Sequence, residues 1–178
     1  MTLARGSPSA ISGGNQLGTM PANTNQVSNA SSSNPVVDIS AQPRGSIGRV
    51  LLAEDDEELR WLLARALRQD GHQVIEVNDG CELLEHLARE VKDDGRLEGA
   101  DVIVSDIRMP GYTGIAALHG LRQVGCDVPM VLITAFGDVS THELVASIAS
   151  ALLLDKPLDL DDLRRAVQTA LESRSRAA

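Results

Sequence analysis

The sequence predicts an α/β protein: a parallel sheet of five short strands, each followed by a helix and covered on both faces. Two observations carry this prediction. Short apolar runs alternate with segments of helical period, and strands separated by helices require right-handed crossovers into a parallel sheet. Four of these runs also end in chemically active side chains. Val50 to Ala53 leads into Glu54, Asp55 and Asp56, and Val102 to Val104 carries Asp106; Pro129 to Ile133 ends in Thr134 and Ala135, and Ala151 to Leu154 in Asp155, Lys156 and Pro157. In open α/β sheets, ligands bind beyond the carboxyl ends of the strands.

Residues 1 to 45 are rich in Ser, Asn, Gly, Pro and Ala and hold three charges, Arg5, Asp38 and Arg44. Such a segment buries too little apolar surface to offset its ordering entropy, so it is expected to be a disordered tail. From Ile47 the pattern changes. After the first strand, Leu59, Leu62, Leu63, Ala66 and Leu67 mark one face of a helix with Asp56 as N-cap and Gly71 as its stop. Trp61 falls off that face, as a loop-packing or contact residue. Val74 to Val77 form the second strand. Asp79 and Glu82 suggest a capping box for a helix through Leu83, Leu84, Leu87 and Val91, followed by a solvated loop at Lys92 to Gly99.

The third helix is expected to start at Thr113 or Gly114, with Ile115, Leu118 and Leu121 on one face. Ser140 and Glu143 suggest another capping box, for a helix through Leu144, Val145 and Ile148. The last helix opens at Asp159 and buries Leu160, Leu163, Val167 and Leu171, which leaves 174 to 178 as a short tail. His86, His119 and His142 are expected to face solvent, while Cys81 and Cys126 are expected to be small buried hydrophobes.

At 178 residues the chain fits one domain with a tail, and 43% hydrophobic residues suffice for an ordinary core. The net charge of −9 repels phosphate backbones, which argues against direct nucleic acid binding. No apolar run approaches the ~20 residues of a membrane span or forms a secretory signal, so no membrane insertion and a cytoplasmic location are expected.

The segments VLLAEDDEELR at 50 to 60, VIVSDIRMPGYTG at 102 to 114, VLITA at 131 to 135 and DKP at 155 to 157 together resemble the receiver domain of bacterial two-component response regulators. The resemblance covers residues 46 to 173, and with no room for an output domain after them it suggests a stand-alone receiver with an N-terminal extension. It implies a flavodoxin-like doubly wound (βα)5 fold with strand order 2-1-3-4-5.

Two carboxylates ~5 Å apart repel by roughly 3 kcal/mol at an effective dielectric of about 20, so Glu54, Asp55 and Asp106 at adjacent strand ends call for a cation. Hard oxygen ligands suit Mg²⁺. By resemblance, Asp55, Asp106 and the backbone carbonyl of Arg108 would bind it directly, with Glu54 holding a metal-bound water. Asp106 would then accept a phosphoryl group from a histidine kinase or histidine phosphotransfer protein, with Lys156 and Thr134 contacting the phosphoryl oxygens. The small Ala135 leaves room for the donor histidine.

The resemblance also implies that Thr134 moves on phosphorylation and switches a surface for a downstream protein. Receivers often carry Tyr or Phe three residues before the lysine, to move with the threonine; this chain has Leu153 there, so its switch departs from that pattern. Arg108 and Phe136, each two positions after a site residue, are expected to overhang the phosphoryl group and slow its hydrolysis. Trp61 is expected to line the kinase-docking surface. Two other functions compete with this one. A phosphorylation-independent interaction module is supported by Leu153 alone, and an aspartate-nucleophile phosphatase would need a second acid where Arg108 stands.

Overall fold

Residues 47 to 177 are described by the computed structural model, and the expectation for residues 1 to 45 lies outside them. They form the elements β1 (Arg49–Ala53), α1 (Glu57–Gln69), β2 (Gln73–Val77), α2 (Gly80–Glu90), β3 (Val102–Asp106), α3 (Gly114–Gln123), β4 (Met130–Thr134), α4 (Val139–Ala146), β5 (Ala151–Asp155) and α5 (Leu160–Ala177). The sheet order is β2-β1-β3-β4-β5 and every neighbouring pair is parallel, as predicted.

Successive strand side chains point to opposite faces. Leu51, Ile103, Met130 and Leu132 therefore pack with Leu83 and Leu87 of α2 and Leu118 and Leu121 of α3. The intervening Val50, Leu52, Val104, Val131 and Ile133 pack with Leu63 and Leu67 of α1 and Leu163 and Val167 of α5. Burial on both faces explains why the central strands read as continuous apolar runs. The chain order reverses between β2 and β3, which places the switch-point crevice at the carboxyl ends of β1 and β3.

Asp56 caps α1 by accepting the Leu59 N–H, Asp79 caps α2 from the Glu82 N–H, and Thr113 caps α3 from the Ala116 N–H. The Glu82 carboxylate reaches back to the Asn78 N–H, one residue earlier than a standard capping box requires.

Several expectations need correction. The cap of α4 is Asp138, which accepts from both the Thr141 N–H and the Ser140 hydroxyl, so Ser140 lies inside the helix; Ile148 lies beyond its end. Leu62 is exposed, because the buried face of α1 centres on Leu63, Ala64 and Leu67 and leaves Leu62 on the rim beside Trp61. Residues 174 to 177 continue α5, and Arg174 ties that last turn to the sheet by donating to the Ala100 carbonyl. The segment after α2 is a tight turn closed by a Val91–Leu97 bridge, with Leu97 in the core. Cys126 is buried but Cys81 is exposed. His119 and His142 face solvent; His86 is half-buried and lies close to Gly99. No helix among the described residues is long and apolar enough to cross a membrane.

His72, after the Gly71 stop, is buried between the start of β1 and α5. Its Nδ1 accepts the Gly48 N–H at 3.2 Å, and its Nε2 lies 3.5 Å from the Gln168 side-chain nitrogen. Burial lowers its pKa from the ordinary 6.5, and the nearby Asp70 only partly offsets this. As pH falls through 6.5, the unfolded chain takes up this proton before the folded one does, so stability declines from there downward. The His72→Gln variant, which keeps an acceptor but does not titrate, should therefore lose less melting temperature than wild type between about pH 7 and pH 5. Equal losses in thermal melts would contradict this assignment.

Candidate functional site

The register Ala53↔Ser105 stops β1 and β3 at the same level, so Glu54 follows β1 beside Asp106 at the end of β3. Glu54, Asp55 and Asp106 each offer a carboxylate oxygen within 4.8 Å of the others. Glu54 is 1% exposed and Asp106 is 6% exposed, whereas Asp55 opens to solvent. Three clustered oxygen acids, one of them accessible to water, fit the donor set of a hard divalent cation such as Mg²⁺.

Lys156, at the end of β5, closes the other side of the cluster. Its Nζ donates to both Glu54 carboxylate oxygens, at 3.0 and 3.2 Å, and to Asp106 Oδ2. Burial pushes the Glu54 pKa up, against the hydrogen bond from Lys156 that pulls it down. Burial alone would lower the Lys156 pKa, but its hydrogen bonds to Asp106 and Glu54 outweigh that and raise it, so the ammonium stays charged.

The second Asp106 oxygen accepts the Arg108 N–H at 2.7 Å, which holds the peptide of residue 108 against the carboxylate. Thr134 is buried at the end of β4, one residue beyond Ile133, the register partner of Asp106. Its Oγ1 accepts the Phe136 N–H at 3.2 Å. The Arg108 guanidinium lies 3.9 Å from the centroid of the Phe136 ring, a cation–π stack that bridges the loops after β3 and β4. The structure thus brings Glu54, Asp55, Asp106, Arg108, Thr134 and Lys156 to one end of the sheet. Leu153 is set back, half-buried on β5 opposite Leu132 and packed on the α2–α3 side. Trp61 stands apart on α1, 58% exposed, with the Arg65 guanidinium 5.1 Å from its ring centroid.

Close approach of backbone shapes the loop after Asp106. A side chain at Gly80 would strike the Tyr112 carbonyl, and one at Gly114 would lie 2.6 Å from the Asp106 carbonyl oxygen. The Gly80 N–H donates to the Pro110 carbonyl at 3.0 Å, so the start of α2 braces this loop.

Sequence reasoning overlooked two features. Arg60 donates to the Glu54 carbonyl at 2.7 Å. Its signal is a cation in the first turns of a helix, where the dipole disfavours one. His142 of α4 meets Asp155 at 3.1 Å, a solvent-exposed pair with no sequence-local signal and worth at most about 1 kcal/mol.

The family model described as "Response regulator receiver domain" matches residues 50 to 168. The chain belongs to this family. Receivers of this kind, from two-component response regulators, are phosphorylated on an aspartate. Curated relatives include the DNA-binding transcriptional regulator NtrC of Escherichia coli, 33% identical over 124 residues that span 70% of this chain and 25% of NtrC. The C4-dicarboxylate transport transcriptional regulatory protein DctD of Pseudomonas aeruginosa is 35% identical, over 71% of this chain and 26% of its own. The chain therefore spans about a quarter of the length of these relatives. Among solved structures, the receiver domain of the Francisella response regulator 1452 superposes with a TM-score of 0.61 at 26% identity, covering 71% of this chain and 98% of that one. A Clostridium thermocellum response regulator receiver domain superposes with a TM-score of 0.65 at 20% identity, over 74% of this chain and 100% of that one, a likeness of fold.

Proposed function

We propose that this receiver accepts a phosphoryl group on Asp106 from a histidine kinase or histidine phosphotransfer protein and, in doing so, switches a protein-binding surface. The observation that carries the proposal is the setting of Asp106. One carboxylate oxygen is held by the Arg108 N–H and the other by Lys156, beside two further acids that can hold a divalent cation.

Asp55, Asp106 and the Arg108 carbonyl would hold Mg²⁺, with Glu54 contacting a water of its shell. Bound there, Mg²⁺ would neutralise charge on the donor phosphoryl group. The chain's own residues do the rest. An Asp106 oxygen forms a bond to phosphorus as the donor's P–N bond breaks, and the leaving imidazole takes up a proton. Lys156, already charged and within reach of Asp106, offers its ammonium to a phosphoryl oxygen. Thr134 offers its hydroxyl to another after giving up its contact with the Phe136 N–H, and that exchange would be the first movement of the switch. Leu153, without a ring or hydroxyl, would fill space behind it.

The partners would be proteins: a phosphodonor that docks near Trp61 and a downstream target. The chain's charge of −9 supports protein over nucleic acid contact, although relatives such as NtrC are named as DNA-binding. The only chemistry proposed for the chain itself is its own phosphorylation and dephosphorylation. Its test is intact mass after incubation with phosphoramidate. A gain of one phosphoryl group that requires Mg²⁺ and vanishes with a chelator is expected; no gain from phosphoramidate or from a histidine phosphotransfer protein would favour the phosphorylation-independent module.

The Arg108–Phe136 stack would shield the acyl phosphate from water. Arg108→Ala and Phe136→Ala should each speed dephosphorylation by about 2- to 5-fold, the rate equivalent of about 0.5 to 1 kcal/mol. Unchanged decay of the phosphorylated chain would contradict this role.

A further inference from the structure

We propose that Arg60 is the positioning residue of the acidic turn: its guanidinium clamps the peptide carbonyl of Glu54, fixing where the Glu54 and Asp55 carboxylates stand for a divalent cation. The role rests on the phosphoryl-acceptor reading above.

Between the end of β1 and the cap of α1, Glu54 and Asp55 belong to neither element, so the sheet and helix ladders leave their carbonyls without regular partners. The Glu54 N–H reaches the Val77 carbonyl at 3.3 Å. Its carbonyl accepts from Arg60 Nη1 at 2.7 Å, and the Asp55 carbonyl lies 3.5 Å from the same nitrogen. Arg60 thus holds the turn by its backbone and leaves the carboxylates free for other partners.

Arg60 is itself constrained. Its side chain is 16% exposed, and its Nε lies 3.9 Å from Glu76 Oε2 on β2. The other Glu76 oxygen meets Arg68 Nη1 at 2.7 Å, so β2 and two arginines of α1 form one charge network beneath the turn. Arg60 is the fourth residue of α1, after Glu57 and Glu58, where the helix dipole favours anions. A guanidinium kept there against the dipole, and folded back onto the turn, is placed for a contact. Its planar fork makes that contact more rigidly than an ammonium would.

Electrostatics and positioning predict opposite signs for its removal. If Arg60 acted only as a nearby positive charge, losing it would tighten Mg²⁺ binding. If it positions the ligands, losing it weakens binding, as loss of groups that orient metal ligands typically does by about 10- to 100-fold.

The experiment is isothermal titration of MgCl2 into the full chain as wild type, Arg60→Gln and Arg60→Lys, with folding checked by circular dichroism. Positioning predicts about 10-fold weaker binding for Arg60→Gln and a smaller loss for Arg60→Lys, which keeps the charge without the fork. Binding by Arg60→Gln as tight as wild type or tighter overturns the proposal. If Arg60→Gln does not fold, Arg60→Lys decides, and wild-type affinity there overturns it. No Mg²⁺ binding by the wild-type chain would overturn the acidic-site reading itself and this proposal with it.

Discussion

The Asp106→Asn chain should gain no phosphoryl mass under the Mg²⁺ and phosphoramidate conditions that modify the wild type. An amide oxygen lacks the charge and nucleophilicity of a carboxylate, and the substitution also removes one of the three acids that can hold the cation. The fold should survive. Lys156 keeps its two hydrogen bonds to Glu54, and the amide oxygen introduced by the substitution can still accept the Arg108 N–H. A thermal melt close to wild type, with no mass gain, separates loss of the nucleophile from loss of structure. Full phosphorylation of Asp106→Asn would place the acceptor elsewhere.

Lys156→Met should have the next largest effect, in two measurements. Among the described residues, Lys156 is the one side-chain cation that hydrogen-bonds the Asp106 carboxylate, and removing one preorganised donor from a charge-developing site costs about 100-fold in rate or more. Phosphorylation by a small-molecule donor should slow by at least that factor. The same change strands the buried Glu54 carboxylate, whose pKa burial already pushes up. Breaking such a pair from one side costs about 3 kcal/mol, so the metal-free variant should unfold at lower urea than wild type. Millimolar Mg²⁺ should restore part of that loss by binding the folded state alone. A near-wild-type rate would remove Lys156 from the chemistry, and unchanged stability would mean that Glu54 is solvated or protonated at little cost.

Much of this molecule was legible in its sequence because the signals were local and repeated. Parallel strands buried on both faces read as apolar runs, and four of the five runs lead within two residues into the side chains that the fold gathers at one end of the sheet, Glu54, Asp55, Asp106, Thr134 and Lys156. The caps Asp56 and Asp79 were legible because each is the acid directly before the first residues of its helix. At α4 the Ser140–Glu143 spacing pointed two residues too late, because Asp138 takes the role by accepting from Thr141 and Ser140 together.

What stayed hidden depends on distances between segments. Periodicity shows that α1 has an apolar face but not how wide a stripe its neighbours cover, and Leu62 fell outside it. Cys81, in the first turn of α2, is exposed even though its sulfur borders the loop at Gly111. Spacing places Arg108 and Phe136 over one site but does not show that they stack, and it does not show that Arg60 folds back from α1 onto the Glu54 carbonyl.

The most direct measurement of the central claim is to trap the phosphorylated chain with borohydride, which reduces an acyl phosphate of aspartate to homoserine, and to map the product by peptide mass spectrometry. Homoserine at position 106, and at no other aspartate, is the predicted result. Reduction at Asp55 or another acid, or a phosphoryl group that resists borohydride, would contradict the assignment of Asp106 as the phosphoryl acceptor.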